Sequence, residues 1–243
     1  MDRVSVRVAG VRLLSEVDLR VNAGEILALI GLNGAGKSSL LKAVLDLMPI
    51  ETGSIRIFGR SHHDSAARNR ISFLPERLTP MHYLQGREFL RYLLTLQNRA
   101  YIESQVHGML DALELSREAL GKPVRTLSKG MGQKLGLAAC LLSDKDFYVL
   151  DEPSSGLDPV ARGILRGQLD RLRGEGKTVL LTSHALPDVT SLCDRMAVLH
   201  HGRMVFTGSA LQLQSEQGCA TLEEAFLALM HSSPSRSCSP AIV

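Results

Sequence analysis

The segment Gly31–Ser38, which reads GLNGAGKS, constrains the fold of this chain more than any other. It fits the phosphate-loop pattern GxxxxGK[ST] and directly follows Ile26–Ile30, a continuous apolar run that is typical of a strand buried on both faces of a sheet. Apolar residues in Lys37–Met48 then recur at helical spacing. A strand, a glycine-rich turn and a helix in this order predict a loop whose backbone N–H groups surround phosphate oxygens.

The residues of this loop have separate predicted roles. Glycines let the backbone curl towards an anion, and the helix that begins at Lys37 presents its positive end to the same group. Lys37 is expected to reach the outer phosphates, and the Ser38 hydroxyl is expected to bind Mg²⁺. The predicted nucleotide contacts of this segment are Gly31, Leu32, Asn33, Gly34, Ala35, Gly36, Lys37, Ser38 and Ser39.

A second candidate element is the apolar run Phe147–Leu150, which is followed by Asp151 and Glu152. A carboxylate at the C-terminal end of a buried strand lies at the edge where α/β sheets bind ligands. Asp151 is expected to hold the metal through water, and Glu152 to polarise the attacking water. Alone, such a run is more often a strand followed by a solvated turn. Together with the phosphate loop it predicts a catalytic site.

Strand and helix patterns alternate in the first and last thirds of the chain, whereas the middle is rich in leucine and poor in β-branched residues. This pattern predicts an α/β sheet interrupted by a helical insert. We expect one domain over residues 1–231, with a core of about 1–75 and 145–210, an insert of about 76–144 and a C-terminal helix of about 221–230. The Ser/Pro-rich residues 232–243 are expected to be disordered.

Composition argues against several other classes. Lys and Arg total 28 against 25 Asp and Glu, a formal net charge of +3. This near-balance gives no sign of the basic face that nucleic-acid binding requires, so we expect no nucleic-acid partner. The four cysteines are far apart and are predicted to be reduced thiols. The chain has neither an apolar run of about 20 residues nor a signal-peptide pattern, so we expect it in the cytosol.

The segment Thr126–Lys134, TLSKGMGQK, resembles the LSGGQ signature of ABC-type ATPases. With GLNGAGKS, the run VLDEPSSGLDP over Val149–Pro159 and the pair Ser183–His184, the diagnostic segments of that family occur in the family's order. The details LSKGMGQK, LCDR and TLEEAFLAL resemble the exporter-type branch of bacterial ABC cassettes. The resemblance implies a P-loop NTPase core with a mostly parallel sheet, N-terminal antiparallel β strands and an inserted α-helical subdomain.

The resemblance also implies roles for residues outside the phosphate loop. In this family two cassettes dimerise head to tail, and each ATP lies between one subunit's phosphate loop and the other's signature. Ser128 and Gly130 would then contact the γ-phosphate bound by the partner subunit. Asp158 would link the two sites, and His184 would hydrogen-bond the γ-phosphate and position the water.

The chain departs from the family pattern in three places. Glu76 stands where the family usually has glutamine, and its carboxylate either reaches Mg²⁺ or the attacking water or is a surface group after Pro75. Lys129 replaces the usual glycine of the signature and Met131 its usual glutamine. No aromatic residue precedes Phe58, so the usual residue that stacks on adenine is missing.

The resemblance implies a Mg²⁺-dependent ATPase that powers export through a separate integral-membrane permease. The subunit would be a homodimer, or a heterodimer with a second cassette, peripheral to the cytoplasmic face of the inner membrane, with the helical insert as docking surface. The alternatives are a soluble ABC-type ATPase acting on ribosomes or DNA, a binding module switched by nucleotide without turnover, and a phosphate-loop kinase. The kinase would not need the LSKG segment.

Two histidine pairs, His62–His63 and His200–His201, complete the candidates. Adjacent histidines rarely face one metal together, and neither pair has a third ligand near it in sequence. Both pairs are therefore predicted to lie in surface loops without a metal.

Overall fold

The computed structural model describes residues 1–76 and 83–232. The strands are β1 (Asp2–Val8), β2 (Val11–Val17), β3 (Ile26–Ile30), β4 (Thr52–Ser54), β5 (Arg56–Ile57), β6 (Arg60–Ser61), β7 (Ile71–Leu74), β8 (Phe147–Leu150), β9 (Thr178–Ser183), β10 (Arg195–His200) and β11 (Arg203–Gly208). The α-helices are α1 (Lys37–Val44), α2 (Ser65–Arg68), α3 (Gly86–Leu96), α4 (Glu103–Ala112), α5 (Lys129–Leu142), α6 (Pro159–Gly174), α7 (Leu186–Leu192), α8 (Ala210–Gln217) and α9 (Leu222–Ser232). Short 3₁₀ helices cover Arg117–Gly121 and Val124–Thr126.

The main sheet has the order β11-β10-β3-β9-β8-β7, in which the strands from β10 to β7 are parallel and β11 is antiparallel. Every residue of β3, β8 and β9 is buried, as expected for strands covered on both faces. The C-terminal ends of β3, β8 and β9 meet at one edge of the sheet, which is where α/β folds bind ligands. The mostly parallel sheet predicted from the sequence is confirmed.

A second, antiparallel sheet has the order β2-β1-β4 and is formed by the N-terminal part of the chain. Val4, Val6, Leu14 and Val17 are fully buried in the same apolar cluster as the inner face of α1. This sheet confirms the antiparallel strands that the family resemblance implied, and it places β2 beside the phosphate loop.

Between β7 and β8 the described chain is helical, with α3, α4 and α5 packed together. Leu90 of α3, Leu110 of α4 and Leu135 of α5 are fully buried in one apolar cluster. This is the predicted helical insert. The limits predicted for the domain and its parts stay predictions.

Helix α1 ends at Val44 and is therefore shorter than the helical pattern over Lys37–Met48 predicted. Asp46 takes a left-handed conformation with φ of +60°, and the N–H of Leu47 donates to the carbonyl oxygen of Lys42 at 2.8 Å. This is a Schellman ending, which stops a helix by satisfying its last carbonyl groups. Leu45 and Met48 pack against the core without continuing the helix, whereas Leu47 is mostly exposed.

The C-terminal helix α9 begins after Thr221, whose hydroxyl accepts from the N–H of Glu224 at 3.2 Å while the Glu224 carboxylate accepts from the N–H of Thr221 at 3.2 Å. This capping box fixes the start of the helix. Ser232 belongs to α9, which corrects the predicted start of the tail. The rest of that tail lies outside the described residues. Within residues 1–76 and 83–232, no helix has the length and hydropathy to cross a membrane.

Candidate nucleotide-binding site

The phosphate loop connects β3 to α1 and fits tightly between its neighbours. A Cβ atom on Gly31 would lie 2.3 Å from the carbonyl oxygen of Leu199, so any other residue would force the loop and β10 apart. Gly36 has φ of +109°, a conformation that side chains disfavour, and stands directly before α1. The loop therefore directs the first N–H groups of α1 towards the cleft at the sheet edge.

Lys37 lies almost buried at the start of α1. Its Nζ atom donates to the carbonyl oxygen of Gly31 at 2.7 Å and lies 3.9 Å from Oε1 of Glu152. The lysine side chain is 9% exposed and that of Glu152 is 10% exposed, so water screens this ion pair weakly. The predicted phosphate-binding cation and the predicted catalytic acid thus face each other in one site.

Asp151 and Glu152 follow β8 and are held by one hydroxyl from the neighbouring strand. The Thr182 Oγ1 atom donates to Oδ1 of Asp151 at 2.7 Å and accepts from the N–H of Glu152 at 2.8 Å. Glu152 has φ of +50°, a strained value for a residue other than glycine. Strain of this kind is often found at functional sites, where the surrounding structure fixes it. The surrounding structure, including the bond from Thr182, therefore fixes the backbone that carries the Glu152 carboxylate.

His184 follows β9 and approaches Glu152 from the solvent side. Its Nδ1 atom lies 2.7 Å from Oε2 of Glu152, and its side chain is 62% exposed. The structure thus brings His184 to the predicted catalytic acid. Its contact with a γ-phosphate stays a prediction.

Lys37, Asp151 and Glu152 border a cleft of about 740 Å³, whereas His184 does not line it. The cleft is lined by residues 32–39 of the phosphate loop and by Glu76, Asp151 and Glu152, together with the β2 residues Val11, Arg12, Leu13 and Ser15 and the turn residues His201, Gly202 and Arg203. Glu76 is exposed and lines this cleft, as the predicted Mg²⁺ ligand should. Whether it binds the ion stays a prediction. Loop N–H groups and Lys37 fit a phosphate chain, and Ser38 with Asp151 supplies the oxygen donors that Mg²⁺ prefers.

Three predicted residues, Ser128, Gly130 and Asp158, lie together in a second pocket of about 320 Å³. Ser128 caps α5 by accepting from the N–H of Met131 at 3.2 Å, and Asp158 caps α6 by accepting from the N–H of Ala161 at 2.8 Å. None of the three lines the cleft of the phosphate loop. One chain therefore presents the phosphate loop and the signature as two separate surfaces.

The structure also shows contacts that sequence reasoning missed. The Nε2 atom of buried Gln133 donates to the carbonyl oxygen of Pro153 at 3.4 Å, and the Nζ atom of Lys129 donates to Oγ of Ser155 at 3.3 Å. Both bonds tie α5 to the loop between Glu152 and α6. For Thr182 the sequence offered one indication of a role in the site, because this residue stands directly before the Ser183–His184 pair. The two bonds from α5 had no comparable signal in the sequence.

The prediction that both histidine pairs lie in surface loops is wrong for one member of each pair. His62 is 2% exposed, and Asp46, distant in sequence, lies beside it and His63. His200 ends β10 and is 9% exposed, and burial lowers the pKa of its imidazole. His200 is buried because it is the last residue of the core strand β10. His62 is buried because the segment after β6 lies against the end of α1.

A phosphate loop at the start of α1, with paired carboxylates at the end of a parallel strand, defines a phosphate-loop NTPase. Residues 14–155, more than half of the 243-residue chain, match the family described as ABC transporter. The chain belongs to this family. The recognition and the fold class predicted from the sequence are both confirmed.

Two relatives and two solved structures illustrate the similarity. The chain is 37% identical over 218 residues to the Nod factor export ATP-binding protein I of Sinorhizobium fredii, covering 87% of this chain and 63% of that protein. It is 36% identical over 206 residues to an uncharacterised ABC transporter ATP-binding protein of Synechocystis, covering 84% and 58%. The chain thus spans about six-tenths of the length of these curated relatives.

A solved ATP-binding subunit of an ABC transporter superposes with a TM-score of 0.85 at 30% identity, covering 94% of this chain and 97% of that one. A dimeric bacterial ABC transporter cassette superposes with a TM-score of 0.78 at 21% identity, covering 86% and 97%. Because the identity to this dimeric cassette is low, its similarity shows the fold alone.

Proposed function

We propose that this chain is the ATP-binding and ATP-hydrolysing subunit of an ABC transporter and powers export through a separate integral-membrane permease. The observation that carries the proposal is the convergence of Lys37, Asp151 and Glu152 on one cleft beneath the phosphate loop. A regulatory module without turnover would not need a buried carboxylate held in a strained backbone at the sheet edge.

The loop and the start of α1 bind the phosphate chain of ATP. Backbone N–H groups and the Lys37 ammonium stabilise its negative charge, and they are fixed before ATP arrives because the loop is confined by β10. Ser38, Asp151 and Glu76 are the residues that would hold Mg²⁺. When bound, Mg²⁺ supplies charge neutralisation at the phosphate oxygens.

Glu152 serves as the group that receives a proton from water. Its Oε1 atom faces Lys37 and the phosphate loop, and its Oε2 atom is held by Nδ1 of His184 at 2.7 Å. An attacking water that donates a hydrogen bond to this carboxylate is oriented for in-line attack on the γ-phosphate. His184 therefore acts on the reaction at least as a positioning residue for Glu152.

A dimer completes each site. Ser128 and Gly130 lie at the exposed start of α5, in a pocket separate from the phosphate loop, so they are available to the nucleotide of a second subunit. The N-terminal end of α5 suits an anion. The partner would be a second copy or a different cassette.

The permease docks on the helical insert at the cytoplasmic face of the inner membrane. Tyr92, Leu96 and Ile102 of this insert are between 42% and 63% exposed, an apolar surface that suits helices of a partner. The relative that covers 87% of this chain carries the name of an export ATP-binding protein, which supports the direction of transport.

The proposal is tested by affinity purification of the Glu152→Gln protein from detergent-solubilised membranes of its own cells in Mg-ATP. A stoichiometric multi-span membrane protein is the expected result. The control is the same purification with the Lys37→Ala protein, which lacks the phosphate-binding cation. Co-purification of ribosomal proteins or DNA, or of no partner, would contradict the transporter assignment and favour a soluble ATPase. Phosphate release from purified wild-type protein, with EDTA as control, tests the Mg²⁺-dependent ATPase separately.

A further inference from the structure

Three potential metal ligands, Asp46, His62 and His63, meet on the side of the core where α1 ends. Asp46 follows α1 in the Schellman turn, and the histidines follow the short strand β6. The N–H of His62 donates to the carbonyl oxygen of Ile55 at 3.1 Å, which fixes the histidine segment against the core. None of the three lines the nucleotide cleft.

The ligand atoms of the three side chains lie within 4.8 Å of one another. Nδ1 of His63 is 2.8 Å from Oδ1 of Asp46, and Nε2 of His62 is 3.9 Å from the same oxygen. In a tetrahedral zinc site with bonds of about 2.0–2.1 Å, ligand atoms are about 3.3 Å apart. These two separations bracket that value, and since all three ligand atoms lie within 4.8 Å of one another, side-chain rotations would bring them onto one ion.

The imidazole of His62 supplies the second and independent observation. The residue is 2% exposed, and neither of its ring nitrogens has a hydrogen-bond partner in the described part of the chain. A neutral imidazole carries one N–H donor and one acceptor, and buried polar atoms are normally partnered. An ion between His62 and Asp46 would satisfy the acceptor nitrogen.

The Asp46 carboxylate supplies the negative charge of the cluster, and Arg68 is the cation beside it. Burial, together with the neighbouring His63, lowers the pKa of the His62 imidazole. Arg68 donates to Oδ2 of Asp46 at 2.9 Å and to the carbonyl oxygen of His62 at 2.7 Å. It thereby holds the Asp46 carboxylate with Oδ1 towards the histidines, in the manner of a residue that orients a metal ligand.

We propose that Oδ1 of Asp46, Nε2 of His62 and Nδ1 of His63 bind one Zn²⁺ ion. Two imidazole nitrogens and one carboxylate oxygen form a donor set that suits zinc, whereas Mg²⁺ and Ca²⁺ prefer oxygen ligands alone. The His63 side chain is 61% exposed, so ions enter from that side and water completes the tetrahedron. Zinc would connect the end of α1 to the segment between β6 and α2.

The test uses the full chain without a histidine tag, stripped of metal with a chelator, and titrated with Zn²⁺ by calorimetry alongside elemental analysis. The expected stoichiometry is one tight zinc per chain. His63→Ala and Asp46→Asn should each weaken this binding at least tenfold. Zinc should raise the melting temperature of the wild type but not that of His63→Ala, since only the form that binds is stabilised.

The matched control is His107→Ala, because His107 also pairs with a carboxylate, at 3.0 Å from Glu103, but belongs to no group of three potential ligands among residues 1–76 and 83–232. It should keep full zinc affinity. Circular dichroism checks that each variant is folded, and His63→Gln repeats the test at the exposed ligand if Asp46→Asn unfolds. Absence of tight binding in the wild type, or binding unchanged in both His63 variants, would overturn the proposal. ATP binding measured in the same samples keeps this outcome separate from the proposed ATPase.

Discussion

Oε2 of Glu152 lies 2.7 Å from Nδ1 of His184, while Oε1 of the same carboxylate lies 3.9 Å from Nζ of Lys37. Both carboxylate oxygens therefore face a nitrogen, one at the solvent side and one under the phosphate loop. A carboxylate held at both oxygens has little rotational freedom, which is the condition for orienting a water molecule.

Replacing Glu152 with glutamine should reduce ATP turnover by about 10²–10⁴-fold, because the amide keeps the shape of the side chain but accepts no proton. Steady-state phosphate release measures the loss. Nucleotide binding should persist, and size-exclusion chromatography in Mg-ATP should show a trapped dimer. Exposed Glu216 on α8 provides the control, since Glu216→Gln makes the same chemical change away from the cleft. If Glu152→Gln hydrolysed ATP at the wild-type rate, Glu152 would not be the catalytic residue.

Replacing Thr182 with valine should lower both stability and turnover. The substitution preserves the shape but removes the hydroxyl that Asp151 and Glu152 share, and so leaves a buried N–H without its acceptor. We expect a loss of about 1–3 kcal/mol in urea unfolding. Thr182→Ser retains the hydroxyl and should restore most of the turnover. Equal turnover in the valine and serine variants would show that the shared hydroxyl does not position the carboxylates.

A charge placed at the start of α5 should abolish turnover without affecting nucleotide binding by the monomer. Ser128→Arg projects a long side chain into the pocket that the proposed dimer offers to the second nucleotide. Mixing Ser128→Arg with Lys37→Ala subunits should restore partial ATPase activity, because one mixed dimer contains one site with both functional halves. Failure of all mixtures, with dimers verified by light scattering, would argue against the shared site.

Removing the Lys129 ammonium should lower the turnover number by about threefold to tenfold, the equivalent of ~1 kcal/mol for one hydrogen bond. Lys129→Met keeps the aliphatic stem that packs beside Gly156 and loses the bond to Ser155. The KM for ATP should change less than the turnover number, since the lysine lies outside the phosphate-loop cleft of its own chain. Lys122→Met on the exposed insert is the control. A change in KM alone would place Lys129 in nucleotide binding instead.

Cys140 should resist alkylation in the native protein. Burial raises the pKa of its thiol to about 12, although the thiol shares a hydrogen bond with the Ser72 hydroxyl, and only the thiolate reacts. Iodoacetamide at pH 8 followed by peptide mass spectrometry should label the partly exposed Cys219 and leave Cys140 unmodified until denaturant is added. Rapid native labelling of Cys140 would show that α5 opens locally.

Much of the core was predictable because the relevant signals are local. The buried strand, the glycine turn and the helix start of the phosphate loop are adjacent in sequence, and so are β8 and its two carboxylates. Helix α1 was predicted too long, since the left-handed Asp46 that ends it has no sequence mark as clear as glycine. The edge strand β11, only partly buried along most of its length, shows too little alternation to be predicted.

The contacts between distant segments were not predictable. The burial of His62 and its approach to Asp46 depend on how β6 packs against the end of α1, which no local pattern encodes. Thr182 stands beside the Ser183–His184 pair in sequence, but only the packing of the sheet brings its hydroxyl to Asp151 and Glu152, which follow the neighbouring strand. Sequence alone indicates which residue types carry the chemistry, whereas tertiary packing decides which of them share it.

The two hydrogen bonds from α5 to the loop after Glu152 have a consequence for how a pair of such subunits would work. Gln133 and Lys129 hold this loop at Pro153 and Ser155, just beyond the carboxylate, and the loop ends at Asp158 on the surface offered to the other subunit. In the proposed dimer, the six residues that follow Glu152, up to Asp158, would lead from the catalytic carboxylate of one nucleotide site to the surface that meets the other. A movement of Glu152 during turnover would then reach the second site through a loop that α5 holds at two points.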